Sequence, residues 1–143
     1  MFISTLTNGG ATPALVATMA YTQMRHGVIA ENVANWGNPN YKTKRLDAGR
    51  FQKSLADALS RHQNRAEPFD LAGTDQFHQD DDGLLRVTPT TLPAENVLFH
   101  DGTNLSIERQ MADLAENAMM HEMASTVLQG YFDGTRKAIR GRL

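Results

Sequence analysis

The sequence contains no cysteine in its 143 residues. That excludes disulfides and thiolate chemistry, and it suits a protein that works outside the cytoplasm. An excess of charge of one sign is also missing. Fourteen Lys and Arg against 16 Asp and Glu leave a net charge of −2. No basic face stands out, so the chain offers no electrostatic footprint for nucleic acid or for an anionic membrane. No apolar run approaches the roughly 18 residues of a membrane span. A secretory signal peptide is not expected either, because such a peptide needs a positive start followed by a continuous apolar stretch. Here the first charged side chain is Arg25, and Ser4, Thr5, Thr7, Asn8, Gly9, Gly10 and Thr12 interrupt the apolar residues. If the chain leaves the cytoplasm, the expected route leaves its N-terminus uncleaved.

Sites for catalysis, cofactors and metals are equally scarce. His121-Glu122-Met123-Ala124-Ser125 opens like a zinc-protease helix, but Ser125 stands where the second histidine ligand is required. His78, Asp80, Asp82 and Gly83 imitate the start of a calcium loop whose twelfth position would be Pro89 instead of a bidentate Glu. Gly9-Gly10 has neither the spacing nor the Lys of a phosphate loop. Ser, His and Asp all occur, but no local sequence holds them as a triad. The expectation is no enzyme, no cofactor and no metal. The seven methionines fall mostly on or near helical stripes, where adaptable packing explains them.

A hydrophobic content of 41% implies a folded chain, and its apolar residues concentrate at the two ends. Thr12-Pro13 reads as a helix start with Thr12 as N-cap. From there Leu15, Met19, Thr22, His26, Ile29, Val33 and Trp36 recur at alternating spacings of four and three. Asn35, Gly37, Asn38 and Pro39 end the segment. At the other end Ile107, Met111, Leu114, Ala118, His121, Ser125, Leu128, Phe132, Thr135 and Ile139 keep the same alternation. Ser106 is expected to cap that helix, Glu108 and the cations Arg136, Lys137 and Arg140 suit its macrodipole, and its length would be roughly 50 Å. Gly27, Gly130 and Gly134 weaken both helices, which therefore need partners.

Between them, residues 41–50 read as basic and irregular. Ala48 to Arg61 forms a shorter helix with Phe51, Leu55, Ala58 and Leu59 on one face. Residues 62–104 are rich in Asp, Thr, Pro and Gly; Gly83 to Thr88 is a candidate strand after an Asp82-Gly83 turn, while Pro89 and Pro93 argue against a long sheet. The expected fold is mainly α. Its parts are an N-terminal helix (1–40), a variable middle with a short helix and a hairpin-containing or irregular stretch (41–104), and a C-terminal helix (105–143). The shared heptad-like period fits either a coiled-coil-like pair or a bundle closing on itself.

Asn32-Val33-Ala34-Asn35-Trp36-Gly37-Asn38-Pro39-Asn40-Tyr41-Lys42 resembles the signature segment of flagellar rod and hook proteins. That signature reads Asn-Ile-Ala-Asn, two variable residues, then Thr-Pro-Gly-Tyr-Lys. Asn38 replaces its Thr, and Asn40 replaces its Gly, which is tolerable because Asn enters the left-handed region more readily than most residues. Asp101 to Glu108 is similar to the stretch that opens the family's second long helix, and Ala138-Ile139-Arg140-Gly141-Arg142 is similar to its ending. The resemblance covers roughly residues 13–60 and 95–143 and, within the family, points to the proximal rod subunit.

The resemblance implies a structural, self-assembling component of the periplasmic rod of the basal body, exported by the flagellar type III apparatus. Its partners would be other rod proteins, the basal-body adaptor and the export gate, with no nucleic acid and no small-molecule substrate. The residues it assigns to assembly are the motif positions Asn32, Val33, Ala34, Asn35, Pro39, Asn40 and Tyr41. To these it adds the helix faces carrying Leu15, Met19, Ile29, Met111, Leu114, Leu128, Phe132 and Ile139. The alternative is a soluble helical export chaperone or adaptor, which would have no use for the Asn32–Lys42 segment.

Overall fold

A computed structural model describes residues 10–38, 41–65, 69–80, 85–91 and 107–141. The fold is mainly α. Helix α1 runs Thr12–Ala34, strand β1 Lys44–Arg45, helix α2 Ala48–Arg65, strands β2 Phe77–Gln79, β3 Leu85–Val87 and β4 Thr90–Thr91, and helix α3 Ile107–Ile139. The 23 residues of α1 span about 34 Å and the 33 of α3 about 50 Å. Among the described residues, no helix is long and apolar enough to cross a membrane.

Helix α1 is the centre of the molecule because two of its faces are covered. One face, carrying Ala17, Tyr21 and Val28, joins Leu46, Phe51, Ala58, Leu71, Phe77 and Leu85 in the apolar core. The other lies antiparallel along α3. Its N-cap is Ala11, and no side chain caps it. Thr12, expected as the cap, is instead the first helical residue and only 1% exposed. The start is fixed by Pro13, whose locked φ suits the first turn.

The short helix is as expected in its start and its face, and four residues longer at its end. Asp47 accepts a hydrogen bond from the Arg50 N–H at 3.1 Å and so caps α2. Phe51 and Ala58 are buried and Leu55 packs against the core. These side chains carry the attachment of α2 to the core. Phe51 lies flat on Tyr21, with ring centroids 3.9 Å apart, and meets Phe77 edge-on at 5.6 Å. Three rings thereby tie α1, α2 and β2 together, each fully buried ring contributing about 1.5–3 kcal/mol.

The expected hairpin-bearing middle is two small antiparallel pairs. Strands β2 and β3 register Phe77 with Val87 and Gln79 with Leu85; the Asp82-Gly83 turn lies outside the described residues. Lys44 and Arg45 of the segment read as irregular pair with Thr91 and Thr90 of β4. No local pattern announces two-residue strands. Buried Gln76 organises this region. Its carbonyl accepts from the Thr88 N–H, its Oε1 accepts from the Asp47 N–H, and its Nε2 donates to Thr90 Oγ1.

Tyr21 carries one cost. Its ring is fully buried, yet its hydroxyl has no hydrogen-bond partner among the described residues. Burial holds its pKa well above the usual 10, against a lowering by nearby Arg25. A raised pKa favours the neutral phenol in the folded state. That stability is complete below about pH 10 and is lost as pH rises through the folded pKa. Tyr21→Phe should therefore be at least as stable as the parent at neutral pH, gaining up to about 1 kcal/mol. Above pH 10 it should lose less stability, by up to about 1.4 kcal/mol per pH unit. Urea unfolding followed from neutral pH to about pH 11 checks both; an unchanged alkaline slope would contradict the assignment.

Candidate assembly surface

The Asn32–Tyr41 segment is a junction and not a loose tail. Asn32, 1% exposed, uses its whole amide. Its Nδ2 donates to the Lys44 carbonyl at 2.8 Å and to Gln110 Oε1 at 3.0 Å. Its Oδ1 accepts from the Lys44 N–H at 3.0 Å and from the Tyr41 hydroxyl at 3.1 Å. One side chain thus joins α1 to β1, to α3 and to the motif's tyrosine. Asn35 ends the helix, its N–H and its Nδ2 both donating to the Glu31 carbonyl. Lys44 pairs with Glu31, and this hydrogen bond first of all raises the lysine's pKa. The Tyr41 hydroxyl is also pushed up, by burial and then by Glu31. Val33 and Asn35 are half-buried, Ala34 is exposed, and Pro39 and Asn40 lie outside the described residues.

The seam between the long helices is more polar than the apolar stripes foretell. On α1 the buried positions Ala14, Thr18, Tyr21, Arg25, Val28 and Asn32 alternate by four and three, one residue ahead of the expected set, with Tyr21 and Val28 turned to the apolar core. Thr22 and Ile29 of the expected set are buried as well; Leu15 and Met19 are half-buried, and His26 is exposed. On α3 the expected Ile107, Leu114, His121 and Leu128 are half-buried on the seam. Between them lie Gln110, Asn117 and Ala124, all buried, where Met111, Ala118 and Ser125 were expected.

The physical reason is that these polar groups find partners across the seam. Arg25, its side chain 5% exposed, reaches Glu116 at 2.9 Å and Asp113 at 3.4 Å. Asn117 Nδ2 donates to the Thr22 carbonyl at 2.8 Å, and Thr22 Oγ1 lies 2.8 Å from His121 Nδ1. Hydrophobicity alone does not select Arg, Gln or Asn for a core. The seven-residue spacing of 110, 117 and 124 was the available signal.

Apolar side chains that the seam leaves out are exposed along α3. Met111 is 47% exposed, Met119 65%, Met123 70%, Val127 49%, Phe132 41% and Ile139 77%. The cross-seam pairs Asn32–Gln110 and Thr22–His121 set the register. Ten residues along α1 match eleven along α3, so Thr12 comes level with about residue 132. The remaining turns of α3 extend beyond the described part of α1. Of the assembly-face residues, Ile29 is buried, Leu114 and Leu128 are half-buried, and Met111, Phe132 and Ile139 face solvent. Among the described residues, the structure thus combines a polar seam with apolar side chains exposed along α3.

No protein-family model matches the chain. Curated proteins do. The chain is 27% identical over 124 residues to flagellar basal body rod protein FlgB of Borrelia hermsii, covering 82% of this chain and 86% of that protein. It is 23% identical over 123 residues to FlgB of Bacillus subtilis, covering 86% and 88%. It is also 23% identical over 124 residues to FlgB of Salmonella typhimurium, covering 82% and 83%. This likeness, repeated in five curated proteins, supports a structural component of the flagellar basal body rod.

Proposed function

We propose that the chain is a subunit of the proximal part of the flagellar rod, assembling through its terminal helices to join the motor base to the distal rod and hook. The observation that carries this reading is likeness to FlgB proteins along more than four fifths of both chains, from the first helix to the last. The exposed apolar residues of α3 support it, since a chain acting alone gains nothing by leaving Phe132 and Ile139 in water. Its partners are further copies, other rod proteins, the basal-body adaptor and the export gate. It travels through the flagellar export apparatus and works in the periplasmic rod. Its chemistry is binding and load-bearing, with no catalysis.

Fractionation tests the reading directly. Purified basal bodies should contain the chain; finding it only in cytosol would overturn the proposal in favour of an export chaperone. A double variant tests the role of the helix. Leu128→Asp with Phe132→Asp should remain soluble, be absent from basal bodies and abolish swimming. Normal swimming would count against assembly through α3.

A further inference from the structure

The near-neutral total conceals a division of charge along the chain. Residues 136–143 hold Arg136, Lys137, Arg140 and Arg142 and no acidic residue. The other 10 Lys and Arg stand against all 16 Asp and Glu in residues 1–135, so the chain divides into −6 and +4. The expectation of no anionic partner, drawn from the total, therefore does not extend to the end of α3. That end lies past the level of Thr12, beyond the described part of α1. At about 100° per residue, Tyr131, Phe132, Thr135 and Ile139 fall in one arc, with Arg136 and Arg140 beside it and Lys137 behind. Phe132 is 41% exposed and Ile139 77%. Arg136 pairs with exposed Asp133 at 3.3 Å, a contact worth little in water. Lys137 and Arg140 have no ion-pair partner among the described residues. The macrodipole accounts for cations at this end of a helix, but not for exposed Phe132 and Ile139 beside them.

We propose that this end of α3, in the free chain, binds the surface of an anionic lipid bilayer. An interfacial helix needs an apolar arc to enter the boundary between headgroups and acyl chains, and cations to meet the phosphates above it. Phe132 and Ile139 supply the first. Arg136 and Arg140 flank the arc, so their stems lie along the apolar layer while the guanidinium groups reach the phosphates. Charge favours lipid over protein. Four cations with no acid among them respond to the field of an anionic surface and match no alternating pattern of partner charges. Acidic side chains elsewhere are engaged within the chain, Asp75 with Arg50, Asp80 with Arg86, and Asp113 and Glu116 with Arg25. The anions therefore come from outside it. Two helical turns bury little apolar area, which keeps the binding reversible. The side chains that the rod reading gives to assembly are thus held at a membrane while the chain is free.

Co-sedimentation of the full chain with vesicles tests this. The chain should bind vesicles of phosphatidylglycerol and phosphatidylcholine in equal parts, and bind pure phosphatidylcholine roughly tenfold more weakly or not at all. Raising NaCl to about 1 M should release it, a charge test that does not depend on any variant folding. Arg136→Gln with Arg140→Gln should weaken binding about thirtyfold, the share of two cations near an anionic surface. Ile139→Ser, at a side chain too exposed to hold the fold, should weaken it about tenfold. Met119→Ser with Met123→Ser, exposed apolar residues beside Glu122 and far from the cations, should leave it unchanged. Equal binding to both kinds of vesicle, or no loss with the Gln pair or with Ile139→Ser, would overturn the proposal. So would binding to immobilised polyglutamate as tight as to anionic vesicles, which would mark the partner as an acidic protein. If basal bodies contain the chain while anionic vesicles fail to bind it, the rod reading survives and the membrane contact alone fails.

Discussion

Phe51→Ala is expected to destabilise the protein by about 3–5 kcal/mol, the usual range for deleting a fully buried aromatic ring. At this chain length that lowers the melting temperature by about 10–20 °C. The size follows from position. Phe51 is fully buried between Tyr21 and Phe77, so its loss opens a cavity where α1, α2 and β2 meet. Neither neighbour can close that space without breaking its own packing. The effect should also be local first. Helix α2 depends on Phe51, Leu55 and Ala58, whereas α1 and α3 hold each other through Arg25, Asn32, Gln110 and Asn117. Amide exchange in Phe51→Ala should speed up throughout residues 50–63 well before it does in residues 110–124. Uniform acceleration along the chain would show that α2 and the helix pair open as one unit.

The features legible in the sequence are those that a periodic signal carries. Both long helices, the start of α2 and its Phe51-to-Ala58 face emerge from apolar spacing, because burying a stripe is what makes a helix in this chain stable. The phase of the seam was only half legible. Leu114, His121 and Leu128 are half-buried, but the buried positions beside them are Gln110, Asn117 and Ala124. A polar residue enters a core when a partner across the interface takes up part of its hydrogen-bonding capacity, as for Arg25 and Asn117, and that partner lies about 70–100 positions away in sequence. For the same reason β1 and β4 were invisible. Two-residue strands exist through their pairing and through Gln76, whose role no local pattern announces. The motif was found by likeness, while the mechanics of Asn32 came only from the folded chain.

Asn32→Leu should cost about 3–4 kcal/mol while Asn35→Ala costs at most about 1 kcal/mol, though both asparagines belong to the same motif. An amide offers two N–H donors and two acceptor lone pairs, and Asn32 commits all four. Leucine matches its branching, though it is bulkier, and leaves the Lys44 N–H, the Lys44 carbonyl, Gln110 and Tyr41 without it. Lys44 and Tyr41 lie near enough to the surface to recover some of that loss through water, which keeps the expected cost below the sum of four unsatisfied groups. Asn35 donates its Nδ2 to the Glu31 carbonyl, which also accepts from the Asn35 N–H, and its Oδ1 accepts only a long, exposed bond from Asn38 Nδ2 at 3.5 Å. Asn32→Asp should be at least as harmful as leucine, because an acid oxygen then faces the Lys44 carbonyl where an N–H had donated. Denaturant unfolding of the three variants gives the ranking. Equal costs at Asn32 and Asn35 would mean that the motif acts mainly as a helix terminator. The expected order instead makes Asn32 the clasp that holds α1, β1 and α3 in one register, and swimming should fail with Asn32→Leu before it fails with Asn35→Ala.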